Sequence, residues 1–121
     1  MKSAKAIAVI LFALGVTAAF AWNVGDRILG QWTDGMWYPA KVAGVQDGKF
    51  AVTFDDGDVG VLTSAQIKRI DWRVGTKVQC NFRNAGLYYP GTITQMRGEV
   101  IHISYDDGDQ EGATISRCRA R

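Results

Sequence analysis

The sequence predicts an all-β protein that consists of two small barrels in tandem, each built from five short strands. Two observations carry this prediction. A segment of about fifty residues occurs twice, and each copy contains an alternating run of apolar and polar residues that ends in a turn motif. Neither copy has room for an amphipathic helix of ordinary length. Because a unit this small buries little core by itself, we expect each barrel to be stabilised by its neighbour or by a covalent link.

The turn motif is an aromatic residue followed by Asp-Asp-Gly-Asp, at residues 54–58 and again at residues 105–109. Asp-Gly favours a tight reversal because glycine adopts positive φ without steric cost. Each motif therefore predicts a hairpin whose tip carries an aromatic ring beside several carboxylates. Alternation in the preceding strand places every second side chain on one face. The predicted buried faces are Phe50, Val52 and Phe54 in the first copy, and Ile101, Ile103 and Tyr105 in the second.

The repeat also predicts the domain boundaries. Trp22-Asn23-Val24-Gly25 returns fifty residues later as Trp72-Arg73-Val74-Gly75, and one inserted residue, Ala85, then changes the offset to 51. We expect barrels at residues 22–71 and 72–121, packed closely because no low-complexity linker separates them. In the first unit the predicted strands are 26–32, 37–45, 49–54 and 59–62, and residues 64–70 close the barrel as a helical turn or a strand.

Residues 1–21 have the features of a secretory signal peptide. A basic start with Lys2 and Lys5 leads into the apolar run 6–16, and Ala19-Phe20-Ala21 fits the small-x-small pattern that signal peptidase cleaves. The alternative is a retained membrane anchor, because the uncharged run 6–21 is only slightly shorter than the roughly 20 residues of a spanning helix. We favour the cleaved signal, and expect a mature protein that a bacterium exports to the periplasm or the medium.

Cleavage of the signal removes the net positive charge. The formal charge of +2 is due to Lys2 and Lys5, so residues 22–121 carry 12 basic and 12 acidic residues. A neutral domain lacks the electrostatic footprint of a nucleic-acid-binding protein. Three arginines alternate at the C-terminus, Arg117, Arg119 and Arg121. They could contact an anionic surface, but we expect this segment to be a solvated tail.

Cys80 and Cys118 are the only cysteines, and both lie in the second unit. Export would place them where disulfides form, so we expect them to be bridged. Two free buried thiols, or a redox or metal-binding role, are the alternatives. The corresponding residues of the first unit are Gly30 and Ile67, which favours a contact between the opening and closing strands.

An ordered series of motifs occurs in both units and covers nearly all of residues 22–121. Val-Gly-x-Arg/Lys is followed by Gly-x-aromatic-Tyr-Pro, and then by an alternating strand that ends in aromatic-Asp-Asp-Gly. This series resembles a Tudor or Agenet-type domain, and its doubling resembles a tandem Tudor protein. The resemblance implies strongly bent, SH3-like five-stranded barrels. It also implies an aromatic cage at one end of each barrel that recognises methylated lysine or arginine.

Carried over by position, the resemblance implies a first cage of Trp32, Tyr38, Phe54 and Asp56 with Asp58 at its lip, and a second cage of Phe82, Tyr89, Tyr105 and Asp107 with Asp109 at its lip. Aromatic ring faces attract a cation, and a carboxylate supplies the counter-charge. The alternative is that the rings merely cap small barrels and the aspartates merely form turns. Two further aromatics are expected to pack on the opposite sheet face or at the junction between the units, Trp37 and Tyr88, and two are expected to act as packing wedges before the first strands, Trp22 and Trp72.

Catalysis is not expected. His102 is the only histidine, so the usual Ser-His-Asp and Cys-His arrangements are nearly excluded, and no phosphate loop or zinc pattern is present. The clustered aspartates lack the ligand spacing of a calcium loop, so neither a metal nor another cofactor is expected. The expected partner is a protein or peptide, possessing a methylated or other cationic group. The alternatives are an envelope scaffold without a working cage and, with less support, binding of nucleic acid or another anionic polymer.

Overall fold

A computed structural model describes residues 22–121, and the predicted signal peptide lies outside this range. The strands of the first half are β1 (Arg27–Gln31), β2 (Trp37–Gln46), β3 (Lys49–Phe54), β4 (Val59–Leu62) and β5 (Ile67–Arg69). Those of the second half are β6 (Lys77–Asn81), β7 (Tyr88–Arg97), β8 (Val100–Tyr105), β9 (Gln110–Thr114) and β10 (Cys118–Ala120). Short 3-10 turns span Ser64–Gln66, Phe82–Asn84 and Ile115–Arg117. None of the helical segments within residues 22–121 is long and apolar enough to cross a membrane.

The strands form two separate antiparallel five-stranded sheets, in the orders β4-β3-β2-β1-β5 and β9-β8-β7-β6-β10. The predicted all-β fold class is therefore confirmed. In each sheet the last strand pairs with the first, which closes the chain onto its opening strand. The long second strand of each sheet carries a register shift, between Val42 and Gly44 and between Ile93 and Gln95, where a bulge bends the strand.

The hairpin at each Asp-Asp-Gly-Asp motif forms as predicted. In the first copy, the Phe54 N–H donates to the carbonyl of Asp58 (2.8 Å), and the Gly57 N–H donates to the carbonyl of Phe54 (2.9 Å). Gly57 has φ 96°, which explains why the turn needs glycine. The second copy repeats these bonds, so both motifs deliver an aromatic ring to the start of a tight turn.

Each sheet wraps around its own apolar core. The predicted strand faces are buried in both repeats, with Phe54 4% and Tyr105 4% exposed. Cys80 and Cys118 face each other across β6 and β10 and form a disulfide within the second core.

The outward face of β1 joins the two barrels. Leu29 is only 2% exposed, yet it lies in the core cluster of the second barrel and not in that of the first. Trp37 packs against the same cluster, and Trp72 is buried in it. The junction is thus a continuation of the second core. This agrees with the expectation that Trp37 and Trp72 are packing residues.

The C-terminal strand is not the solvated tail that the alternating arginines predicted. Arg117 pairs with Glu111 (2.6 Å), and Arg121 pairs with Asp106 (2.8 Å). Arg119 donates hydrogen bonds to the side chain of Gln79 and to the hydroxyl of Tyr38 in the first barrel. The prediction was wrong because β10 pairs with β6 and places every second side chain against ordered partners.

Candidate functional site

A cavity of about 190 Å³ opens at the end of the first barrel, where β1 and β3 end and β2 begins. The structure brings all five residues of the first cage to this cavity, and adds five more lining residues. The complete lining is Trp32, Asp34, Tyr38, Pro39, Phe54, Asp55, Asp56, Asp58, Tyr88 and Ser116.

The two inner rings are held by the first strand and its following loop. Trp32 comes directly after β1, and its N–H donates to the carbonyl of Met36 (2.9 Å) across the loop. Its ring meets Phe54 edge-on, with centroids 5.2 Å apart. Phe54 in turn lies over Gly30, where a Cβ atom would come within 3.1 Å of the Phe54 ring. The missing side chain at Gly30 therefore leaves the space that Phe54 fills.

The third ring, Tyr38, is fixed through its hydroxyl. The hydroxyl donates to Asp34 Oδ2 (2.6 Å) and accepts from Arg119 Nη1 (2.9 Å). Burial, and then the bond to Asp34, raise the pKa of Tyr38, so the group stays protonated and neutral at physiological pH. The ring is thereby held in one orientation by a bond from each side.

The carboxylates around the cavity divide into two kinds. Asp55 is structural: both of its oxygens accept from Arg27, at 2.7 Å each, and Ser116 donates to it as well. Asp56 accepts the Asp58 N–H at 3.0 Å through one oxygen, which fixes its position in the turn. Within residues 22–121, neither Asp56 nor Asp58 has a salt-bridge partner. These two carboxylates can therefore neutralise a bound cation.

The second barrel supplies part of the first cavity. Tyr88 on β7 meets Tyr38 with ring centroids 6.1 Å apart, and the Arg119 guanidinium lies 4.3 Å from the Tyr88 ring centroid. Sequence reasoning placed Tyr88 at the junction but did not assign it to the site. It also missed Asp34, although the Asp-Gly step at residues 34–35 marks a turn beside Trp32.

A matching cavity of about 190 Å³ opens on the second barrel and is lined by Phe82, Tyr89, Tyr105, Asp107 and Asp109. These are the five residues predicted for the second cage. Phe82 meets both tyrosine rings edge-on, with centroids 6.4 Å away for Tyr89 and 5.3 Å for Tyr105. The Arg83 guanidinium already lies 5.0 Å from the Phe82 ring centroid. This cavity has fewer lining residues than the first, and like the first it has a guanidinium of the chain beside one of its rings.

Comparison with solved structures assigns the fold. The chain resembles the crystal structure of the Crb2 tandem tudor domains with a TM-score of 0.58 and 19% identity, over 78% of this chain and 77% of that one. The chain has the tandem Tudor fold. The tandem Agenet domain 3-4 of ADCP1 gives a TM-score of 0.37 at 18% identity, over 81% of this chain and 79% of that one. AGD34 of Arabidopsis thaliana AGDP1 gives a TM-score of 0.39 at 17% identity, over 86% of this chain and 85% of that one.

Sequence comparison gives a shorter match. Over 50 residues, the chain is 38% identical to PHD finger protein 20-like protein 1 of Mus musculus and of Rattus norvegicus. That stretch is 40% of this chain but only 5% of the length of those proteins. No family model matches the chain.

The two halves of this tandem Tudor fold differ beneath their cavities. In the second barrel, the Tyr105 hydroxyl donates to Glu111 Oε1 (2.6 Å), and Arg117 donates to Glu111 Oε2 (2.6 Å). Burial by itself would raise the pKa of Glu111. The bonds from Tyr105, Arg117 and the Arg83 N–H outweigh it and hold the pKa below its ordinary value. The first barrel has Gly60 at the corresponding position and lacks this network.

We expect the Glu111 network to make the tandem Tudor fold sensitive to acid. A carboxylate with a lowered folded-state pKa contributes stability above its unfolded pKa of about 4.3, and loses it as the pH falls through the folded value. Glu111→Gln should therefore reduce stability at pH 7 and flatten the dependence of stability on pH below about 4.3. Urea unfolding of both proteins across this pH range measures the difference, and parallel profiles would contradict the prediction.

Proposed function

We propose that the protein is a non-catalytic binding module whose first cage takes a methylated lysine or arginine, or another alkylated cation, from a protein or peptide. The observation that carries this proposal is the cavity in which the rings of Trp32, Tyr38 and Phe54 meet the carboxylates of Asp56 and Asp58. The tandem Tudor fold supports the same class of function by analogy.

The chemistry of the cavity suits a bulky, weakly hydrated cation. Ring faces present negative charge density, and each contributes about 0.5–2 kcal/mol to a cation within about 6 Å, more when water is excluded. A carboxylate adds counter-charge and accepts a hydrogen bond from any N–H that remains on a partly methylated group. Asp56 and Asp58 make the first cage suitable for monomethylated and dimethylated groups as well as for trimethylated ones.

The second cage is proposed as the weaker of the two sites. It has Phe82 in place of Trp32, and tryptophan is the better ring for binding a cation. Each cavity has a guanidinium of the chain near one of its rings, Arg83 at 5.0 Å from Phe82 and Arg119 at 4.3 Å from Tyr88, so these cations do not distinguish the two cages. We therefore expect the first cage to dominate binding.

Trp32→Ala tests the proposal. Peptides carrying mono-, di- or trimethyllysine, or dimethylarginine, are titrated against residues 22–121 and followed by backbone NMR. Loss of the Trp32 ring should weaken binding at least about tenfold, which corresponds to about 1.4 kcal/mol. The matched variant Phe82→Ala removes the corresponding ring of the second barrel and should change the affinity much less.

The unfolding free energy of each variant separates binding from packing. A cage predicts weaker binding with the fold retained, whereas a scaffold without a working cage predicts lost stability and no binding by the wild type. Absence of saturable shifts with every methylated peptide would remove the proposal. From the predicted signal peptide, we propose that the partner lies outside the cytoplasm. A mature N-terminus at Trp22 in the mass spectrum of the exported protein tests that placement, and a retained leader would contradict it.

A further inference from the structure

A third concave surface lies between the two barrels and shares no residue with either cage. We name it the basic groove. Its volume is about 510 Å³, larger than that of either cage, and its floor contains Leu29 and Trp72. Four cations line it, contributed by the ends of three different strands: Lys68 and Arg69 of β5, Lys77 of β6, and Arg121 beyond β10.

The cations of the basic groove exceed the carboxylates available to them. Arg121 pairs with Asp106 at 2.8 Å, and Lys68 lies 4.3 Å from the Trp37 ring centroid. Across residues 22–121, no carboxylate oxygen lies within 4.0 Å of a side-chain nitrogen of Arg69 or Lys77. Asp71 is the single carboxylate in the lining. A concave surface with one dominant sign of charge concentrates counter-ions, so the groove attracts anions.

The neutral composition of residues 22–121 conceals this separation of charge. Asp34, Asp55, Asp56 and Asp58 line the first cage, whereas the four cations line the groove. A net charge of zero therefore does not exclude a polyanion as a ligand, because binding depends on the local charge of the contact surface.

We propose that the basic groove binds the phosphate backbone of single-stranded nucleic acid, an activity beyond the cage function. Cations at several strand ends match a ligand that presents many phosphates in a row, and a positively charged groove that follows the backbone is one of the two elements of single-strand binding. The other element is base stacking on aromatic rings, and because Trp72 is buried, the contact proposed here is with the phosphates and not with the bases. A membrane surface fits less well, because the apolar floor is buried, with Leu29 2% and Trp72 8% exposed, and offers nothing to insert.

Fluorescence anisotropy of a labelled oligothymidine with residues 22–121 tests the proposal, starting at about 50 mM salt. The variant Arg69→Glu/Lys77→Glu reverses two unpaired groove charges. The control Lys49→Glu/Arg97→Glu makes the same change in net charge at two exposed residues outside the groove that also lack salt bridges within the described chain. Far-UV circular dichroism checks that both variants fold.

We expect the groove variant to bind the oligonucleotide at least about tenfold more weakly than the control variant does. The slope of log affinity against log salt concentration should also become shallower by about 1.4, because two phosphate contacts are lost. Trp32→Ala should leave this binding unchanged, which separates it from the cage. Three results would overturn the proposal: no binding by the wild type, equal losses in both double variants, or tighter binding to polyglutamate or to anionic phospholipid vesicles than to the oligonucleotide.

Discussion

Replacing Cys80 and Cys118 together by alanine is expected to lower the free energy of unfolding by about 4 kcal/mol. The two cysteines are 38 residues apart in sequence, so their bond restricts the unfolded chain over most of the second barrel. Both are essentially buried in the second core, which itself continues into the junction with the first barrel. Removal of the disulfide should therefore destabilise both barrels. Urea unfolding of the oxidised proteins, followed by tryptophan fluorescence, measures it.

Reductant provides the control for this prediction. Reduced wild type should unfold at nearly the same urea concentration as the alanine variant, because both lack the link, and the variant itself should not respond to reductant. A loss below about 1 kcal/mol would show that the cross-link contributes far less than the chain-entropy model gives. An unchanged free energy of unfolding of the wild type after complete reduction would lead to the same conclusion.

Leu29→Ala is expected to cost about 3 kcal/mol, within the range for a large core side chain cut to alanine. The effect should appear on the second barrel, although Leu29 belongs to a strand of the first, because its side chain is buried in the second core. Native-state hydrogen exchange should show faster exchange of the Val78 and Ile93 amides, which lie in the sheet that Leu29 covers.

The matched substitution is Val61→Ala, also on the outward side of the first sheet. Val61 is 68% exposed, so its truncation should change stability by less than about 0.5 kcal/mol. Similar small effects of the two substitutions would mean that the barrels are stable independently. A large effect of Leu29→Ala that is confined to the amides of the first barrel would also contradict the packing described.

The parts of the fold that follow from local rules could be predicted. The strand Lys49–Phe54 and the turn after it were located because period-two alternation and the Asp-Gly step act within a few neighbouring residues. The grouping of Trp32, Tyr38 and Phe54 at one end of the barrel came from the resemblance to a Tudor domain, and not from these local rules.

What could not be predicted depends on how the two barrels meet. Leu29 occupies an outward position of β1, and no pattern in its own repeat indicates that a second core covers it. Tyr88 and Arg119 reach the first cage from the other barrel, and sequence spacing carries no signal for that approach. The C-terminal arginines were assigned to solvent for the same reason, since their partners lie on other strands or, for Arg121, in the turn that contains Asp106.

The internal duplication has consequences for how its two copies could change over time. The pair Gly30 and Ile67 of the first copy stands where the second has its cystine. A Cβ on Gly30 would lie 3.0 Å from Leu62, whereas the second copy has the smaller Ala113 at the position of Leu62. The two copies thus differ at three positions that bear on the cross-link. Copying the bond into the first barrel would require room beside both Leu62 and the Phe54 ring, which would lie 3.0 Å and 3.1 Å from the new Cβ atom.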